Sequence, residues 1–192
     1  MPYQNIEATN LKEVFLIEPK KFSDERGWYC PQLEVSELEA VIGMKLRIIQ
    51  EAESYNFEKG VLRGLHYQKP DTQGKLVRVI SGKVLDVAID VRYQSSFFGQ
   101  HAAVELSANN SRQLWVPPGF AHGYLTLEEN TRFSYLVTEG RYNNLAEKGV
   151  NPFDATLNIS WPISRSEICV KPRDLSWPSL KDIPIEDLLP LS

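Results

Sequence analysis

Gly60-Val61-Leu62-Arg63-Gly64-Leu65-His66-Tyr67-Gln68 places one of only three histidines in a short apolar strand, three residues after an arginine. In a regular strand Arg63 and His66 face opposite sides, so a bulge at Gly64 is what would bring a guanidinium and an imidazole into one cavity. Glycines at 60 and 64 mark the close backbone approaches that such a bulge needs. The same nonapeptide also reads as a half-buried strand whose histidine is satisfied by a core hydrogen bond, and on its own it leaves both readings open.

Outward from this stretch the chain is strand after strand. Leu46 to Ser54, Val61 to Gln68, Leu76 to Ser81, Val84 to Arg92, Ala102 to Leu106, Gln113 to Val116, Gly123 to Leu127 and Thr131 to Thr138 all carry strand patterning. Lys69-Pro70-Asp71, Ser81-Gly82, Asn109-Asn110 and Pro117-Pro118-Gly119 separate them as turns. Short strands with this punctuation and no intervening helices exclude a doubly wound nucleotide fold. They imply an all-β architecture, and a cupin jelly-roll barrel with a few short helices is one of its few closed solutions.

Before the barrel, Glu13 to Ile17 reads as a strand, and Ser36 with Glu39 reads as a capping box opening a helix through Ile42. After it, Asn143 to Thr156 is polar and loop-like, Leu157 to Trp161 reads as a last strand, and Ile185 to Leu189 as a turn of helix. The expectation is one domain over 1–192, with N-terminal strands and helix at 1–44, a jelly-roll core at 45–142 and C-terminal loops and short helices at 143–192.

Composition limits the partners. A formal net charge of −4 argues against a general nucleic-acid surface, so individual lysines and arginines matter more than any patch. Two cysteines make no disulfide framework, and without a signal peptide or long apolar run the expectation is a cytoplasmic protein that neither crosses nor binds a membrane.

The second histidine of interest lies in Pro117-Pro118-Gly119-Phe120-Ala121-His122-Gly123, and Pro-x-Gly-x-x-His resembles a cupin turn that aims its histidine into the barrel. A metal-binding cupin would pair His66 with a second imidazole two residues on, where this chain has Gln68. Two imidazoles are too few for a stable transition-metal site, so no metal is expected. Without one, a histidine near neutral pKa can act as a general base, and a lysine such as Lys75 can stabilise an enolate oxygen. Lys75 alone also reads as a solvated charge after Gln73-Gly74.

The run from Phe22 to Asp182 resembles the dTDP-4-dehydrorhamnose 3,5-epimerase family. The blocks that carry the resemblance are Phe22 through Gly27, Gly60 through Gln68, Gln73 through Arg78, Gly82 through Arg92, Leu106-Ser107, Gln113 through Gly123, and a looser tail of Asp154, Leu157, Ile159, Trp161-Pro162 and Arg173-Asp174. The resemblance implies epimerisation beside the ketone of a nucleotide-linked 4-keto-6-deoxyhexose, without metal or cofactor, in a homodimer whose N-terminal strands cross to the partner. It implies His66 as base, Asp174 as the carboxylate that orients it and Lys75 as enolate stabiliser. Arg26 and Arg63 match diphosphate contacts, Gln50 and His122 match substrate-binding positions, and Asp86 matches a buried carboxylate. For the acid that returns the proton, the family's tyrosine falls on Tyr142 if one residue is inserted near Gly140, while Tyr135 is expected to line the pocket.

Pro31 and Ala52 stand where relatives usually carry a glutamate and an asparagine on the nucleotide side of the pocket. A single-centre epimerase, or one acting on a CDP or GDP sugar, is therefore the nearest alternative. A non-catalytic sugar-binding cupin is the alternative from another class, and a metal-dependent oxygenase is disfavoured by Gln68.

Overall fold

The computed structural model describes residues 2–191. Among them are fourteen strands: β1 (Tyr3–Ala8), β2 (Phe15–Pro19), β3 (Phe22–Asp24), β4 (Gly27–Tyr29), β5 (Ile48–Asn56), β6 (Val61–Gln68), β7 (Gln73–Ser81), β8 (Lys83–Asp90), β9 (His101–Ser107), β10 (Gln113–Val116), β11 (Phe120–Thr126), β12 (Thr131–Glu139), β13 (Glu147–Gly149) and β14 (Cys169–Val170). Helices α1 (Val35–Ile42) and α2 (Pro172–Leu175) are short, and no helix is long and apolar enough to cross a membrane.

Two sheets face each other in a jelly roll. One runs β1-β2-β10-β7-β12-β5; the other runs β13-β6-β11-β8-β9, with β14 added in parallel beside β6. Side chains alternate across each strand, so Val77, Val79, Leu114 and Phe133 from the first sheet meet Val84, Ala88, Phe120 and Tyr124 from the second in a common core. Tyr124 and Phe133 stack with ring centroids 4.2 Å apart.

The second sheet is buried on its other face as well. Every residue of β11 is buried because Val150, Leu157, Leu180, Ile183, Leu188 and Leu189 of the C-terminal segment lie over Leu65, Val87, Ile89 and Ala121. Truncating a fully buried leucine such as Leu65 there would cost about 2–5 kcal/mol. The sheets thus draw on residues before 45 and after 142, because β1, β2, β13 and β14 pair into them.

Two local expectations change. Helix α1 begins at Val35 with Glu34 at its N-cap and no side-chain cap. Glu39 instead turns toward the loop that follows, accepting from Leu46 N at 2.8 Å and Lys45 Nζ at 2.7 Å, so no capping box forms. Leu157 to Trp161 is irregular: it has no partner strand, and Trp161 Nε1 donates to the Pro152 carbonyl at 2.9 Å as the chain wraps on itself.

The bulge at Gly64 is present. Between β11 and β6 the register passes from His122↔His66 to Tyr124↔Arg63, two steps on one strand against three on the other. Gly64 has φ +115°, and a Cβ there would stand 2.7 Å from both Gly123 Cα and the His122 carbonyl, so only glycine fits.

Candidate active site

The bulge has a chemical consequence. Arg63 and His66 both face one cavity of about 340 Å³, which Tyr135, Glu147, Lys171, Arg173 and Asp174 also line. His66 and Arg63 come from β6 in one sheet and Tyr135 from β12 in the other, so the cavity has chemically different opposing walls. Asp174 arrives from α2, which follows directly after β14. The parallel pairing of Cys169 with Val61 and Val170 with Leu62 brings that helix alongside His66.

His66 Nε2 lies 2.9 Å from Asp174 Oδ1, and the Gly64 N–H donates to Asp174 Oδ2 at 3.4 Å. Burial alone would push the Asp174 carboxyl up. The His66 hydrogen bond and charge, the Gly64 N–H and the nearby Arg173 outweigh burial and hold the carboxyl below the usual range. With Nε2 committed to Asp174, Nδ1 is the free nitrogen, and Glu147 Oε1 stands 3.5 Å from it. Arg173 pairs with Glu147 Oε2 at 2.6 Å and reaches Asp174 Oδ1 at 3.5 Å.

On the opposing wall the Tyr135 hydroxyl lies 3.3 Å from Ser54 Oγ, which is 2.7 Å from the Tyr124 hydroxyl. Burial first, then the neighbouring Tyr124, raise the Tyr135 phenol well above its ordinary value, against the smaller pull of Ser54 and Arg63. It therefore stays protonated at neutral pH. Arg63 Nε donates to Asn56 Oδ1 at 2.9 Å, which fixes the guanidinium at the cavity.

Lys75 on β7 does not line the cavity. Burial lowers its pKa, while the carboxylates of Glu147 and Asp86 oppose that shift. His122 is buried, with Nε2 at 2.9 and 3.1 Å from the two oxygens of Asp86. Gln68, in the place of a second imidazole, latches the backbone: its amide donates to the carbonyls of Asp71 and Arg141 and accepts from Asn143 N.

Besides Lys75 and His122, three more expected site residues lie outside the cavity lining. Tyr142 is 57 % exposed on the loop after β12 and meets the cluster only through its hydroxyl, 3.3 Å from Glu147 Oε2. Glu139 at φ +68° and the seating of Gly140 against the Asp71 backbone turn the chain outward before it. Arg26 is 83 % exposed on the β3–β4 hairpin, paired with Asp24, and Gln50 is exposed on the edge strand β5. Conversely, Glu147 and Lys171 were not anticipated, and Arg173 only as the neighbour of Asp174. Glu147 sits on a three-residue strand paired to β6, inside a segment whose polarity reads as loop.

A family model described as dTDP-4-dehydrorhamnose 3,5-epimerase matches residues 8–182. A dTDP-4-dehydrorhamnose 3,5-epimerase of Shigella flexneri is 44 % identical over 160 residues, 83 % of this chain and 87 % of the relative. The crystal structure of dTDP-6-deoxy-D-glucose-3,5-epimerase from Legionella pneumophila, in complex with dTDP-4-keto-L-rhamnose, superposes with a TM-score of 0.92 at 40 % identity over 98 % of each chain. That of a 3'-monoepimerase from Streptomyces bikiniensis, in complex with dTDP-quinovose, gives 0.83 at 28 % identity over 91 % of this chain and 87 % of that one.

Proposed function

The chain belongs to the dTDP-4-dehydrorhamnose 3,5-epimerase family, and we propose that it is a carbohydrate epimerase inverting C3 and C5 of a dTDP-4-keto-6-deoxyhexose. The observation that carries this reading is the cavity itself: a histidine held by a carboxylate on one sheet faces a phenol on the other.

A ketone at C4 acidifies the protons on C3 and C5. Asp174 holds the Nε2–H tautomer of His66 and stabilises the imidazolium, leaving Nδ1 to take the proton. The electrons of the broken C–H bond move onto the C4 oxygen, whose charge we assign Lys75 to stabilise. Tyr135 returns a proton to the other face of the same carbon and is itself reprotonated from solvent. Inversion needs base and acid on opposite faces, which is why we assign the acid to Tyr135 on the facing sheet rather than to Tyr142 at the surface. Arg63, with Lys171 and Arg173 at the rim, suits the diphosphate oxygens.

Arg26 fits a homodimer. Its hairpin carries exposed Phe22, Trp28 and Tyr29, with Lys20 and Lys21 over two of the rings, and Arg26 itself is absent from its own chain's cavity. We assign it to the partner's diphosphate site, in a cytoplasmic dimer. Ala52, opposite Tyr135 in the β5–β12 register, and Pro31 replace polar residues, so discrimination of the nucleotide base is expected to be weak, with dTDP still preferred.

Inversion at one centre is the second reading, supported by the monoepimerase among the superposed structures. Solvent-deuterium incorporation into a panel of nucleotide 4-keto sugars, read by NMR, tests both. Label at C3 and C5 with inverted product is expected; label at one carbon supports the second reading, and no label in any sugar overturns both.

A further inference from the structure

His66 is flanked by two carboxylates, and one guanidinium holds both of them. Asp174 Oδ1 is 2.9 Å from Nε2 and Glu147 Oε1 is 3.5 Å from Nδ1, while Arg173 reaches Glu147 at 2.6 Å and Asp174 at 3.5 Å. The burial is graded: the Glu147 and Asp174 side chains are nearly inaccessible, whereas Arg173 is half-exposed and lines the cavity. The cation stands where an anionic ligand would arrive, and the anions stand behind it.

This arrangement sets a problem for proton abstraction. Nδ1 is the nitrogen left free by Asp174, yet Glu147 covers it at a separation too short to admit a sugar carbon between them. For the C–H bond to reach Nδ1, Glu147 has to withdraw. What fixes Glu147 is Arg173, aided by the Tyr142 hydroxyl at 3.3 Å. What competes for Arg173 is a diphosphate, whose oxygens accept a bidentate guanidinium as well as a carboxylate does. Lys171, on the same rim, makes no ion pair among the described residues and adds to the pull on that anion.

We infer that Arg173 is a positioning residue that couples the diphosphate to the base: an arriving diphosphate draws Arg173 off Glu147, and Glu147 then clears Nδ1. The inference deepens the proposed function and rests on it. Binding of a remote, unreactive part of the substrate is thereby converted into readiness at the reacting carbon.

The test supplies the substrate in two pieces. The full-length protein is given the methyl glycoside of a 4-keto-6-deoxyhexose, which has no phosphate, and deuterium wash-in above the uncatalysed rate is followed by NMR with and without inorganic pyrophosphate. Pyrophosphate is expected to raise the wild-type rate about threefold or more. Arg173→Ala and Glu147→Gln are each expected to respond less than half as strongly, and Arg173→Lys to recover part of the response. Because Arg173 is half-exposed, its two variants keep the test intact if Glu147→Gln fails to fold. A wild-type response below threefold overturns the inference, as does Arg173→Ala responding within a factor of two of wild type. The intact nucleotide sugar is the control: if it exchanges while the glycoside never responds, only the coupling falls. If the nucleotide sugar does not exchange at all, the functional reading falls and the coupling with it.

Discussion

His66 and His122 stand opposite each other in the register of neighbouring strands, and each holds an aspartate at 2.9 Å, yet their surroundings differ. The His122 side chain is 3 % exposed and its aspartate comes from the adjoining strand β8; the His66 side chain is 21 % exposed and its aspartate comes from a helix outside the sheets. The first pair is closed on all sides. The second is held closely by Asp174 on Nε2 alone, and its Nδ1 meets only the looser Glu147 at 3.5 Å beside a cavity. The same two residue types form a closed pair or a cavity-facing one according to where the second partner is delivered from.

Exchanging the two histidines for alanine is the sharpest way to break that contrast. His66→Ala is expected to lower deuterium wash-in by about 10³-fold while leaving dTDP binding by calorimetry measurable and lowering the melting temperature less than His122→Ala does, because Asp174 keeps the Gly64 N–H and Arg173. His122→Ala is expected to leave Asp86 buried and unpaired, and to destabilise the fold by about 3 kcal/mol in denaturant titration. Similar melting temperatures for the two variants would erase the distinction.

The facing wall gives the next effect. Tyr135→Phe is expected to reduce inverted product by about 10²-fold while wash-in from the His66 side continues, and Tyr142→Phe by less than tenfold. Normal inversion by Tyr135→Phe would move the acid elsewhere, with Tyr142 the first candidate.

Asp174→Asn should cost less than His66→Ala, about tenfold to 10²-fold in kcat, because it disturbs tautomer and orientation without removing the base. It also carries a stability signature. The Asp174 carboxyl titrates lower in the folded protein than in the unfolded chain, so its stabilisation is complete above the ordinary aspartate range and lost as pH falls through the lowered folded value. In acid titrations Asp174→Asn should therefore lose less stability than wild type over that window. Equal acid sensitivity would mean that the pair contributes nothing to folding.

The smallest expected effect is on the alkaline side. Burial lowers the Lys75 pKa, so activity that depends on its ammonium should decline as pH rises through a value below the ordinary lysine range. Lys75→Arg should shift that limb to higher pH, and an unshifted limb would assign it to another group.

What could be read from the chain alone follows the same division. The barrel strands and the Gly64 bulge were legible because alternation and glycine are local properties, and Arg63 and His66 reach their cavity through that bulge. Glu147 was not, because Glu147-Lys148-Gly149 has no pattern of its own and becomes a strand only by pairing with Gln68, Tyr67 and His66. The outward course of Tyr142 depends on a glutamate in a left-handed conformation and a glycine pressed on Asp71, neither of which spacing can reveal. Asp174 was reached through resemblance, since nothing near it in the chain points to a histidine 108 residues away.

That separation also sets an order in time. At 5–20 residues per second a ribosome needs roughly 5–20 s to travel from His66 to Asp174, and the parallel strand β14 cannot dock before then. During synthesis the barrel can close around an imidazole that still lacks Asp174 on its Nε2. The His66–Asp174 pair can therefore form only after every strand of both sheets has been translated.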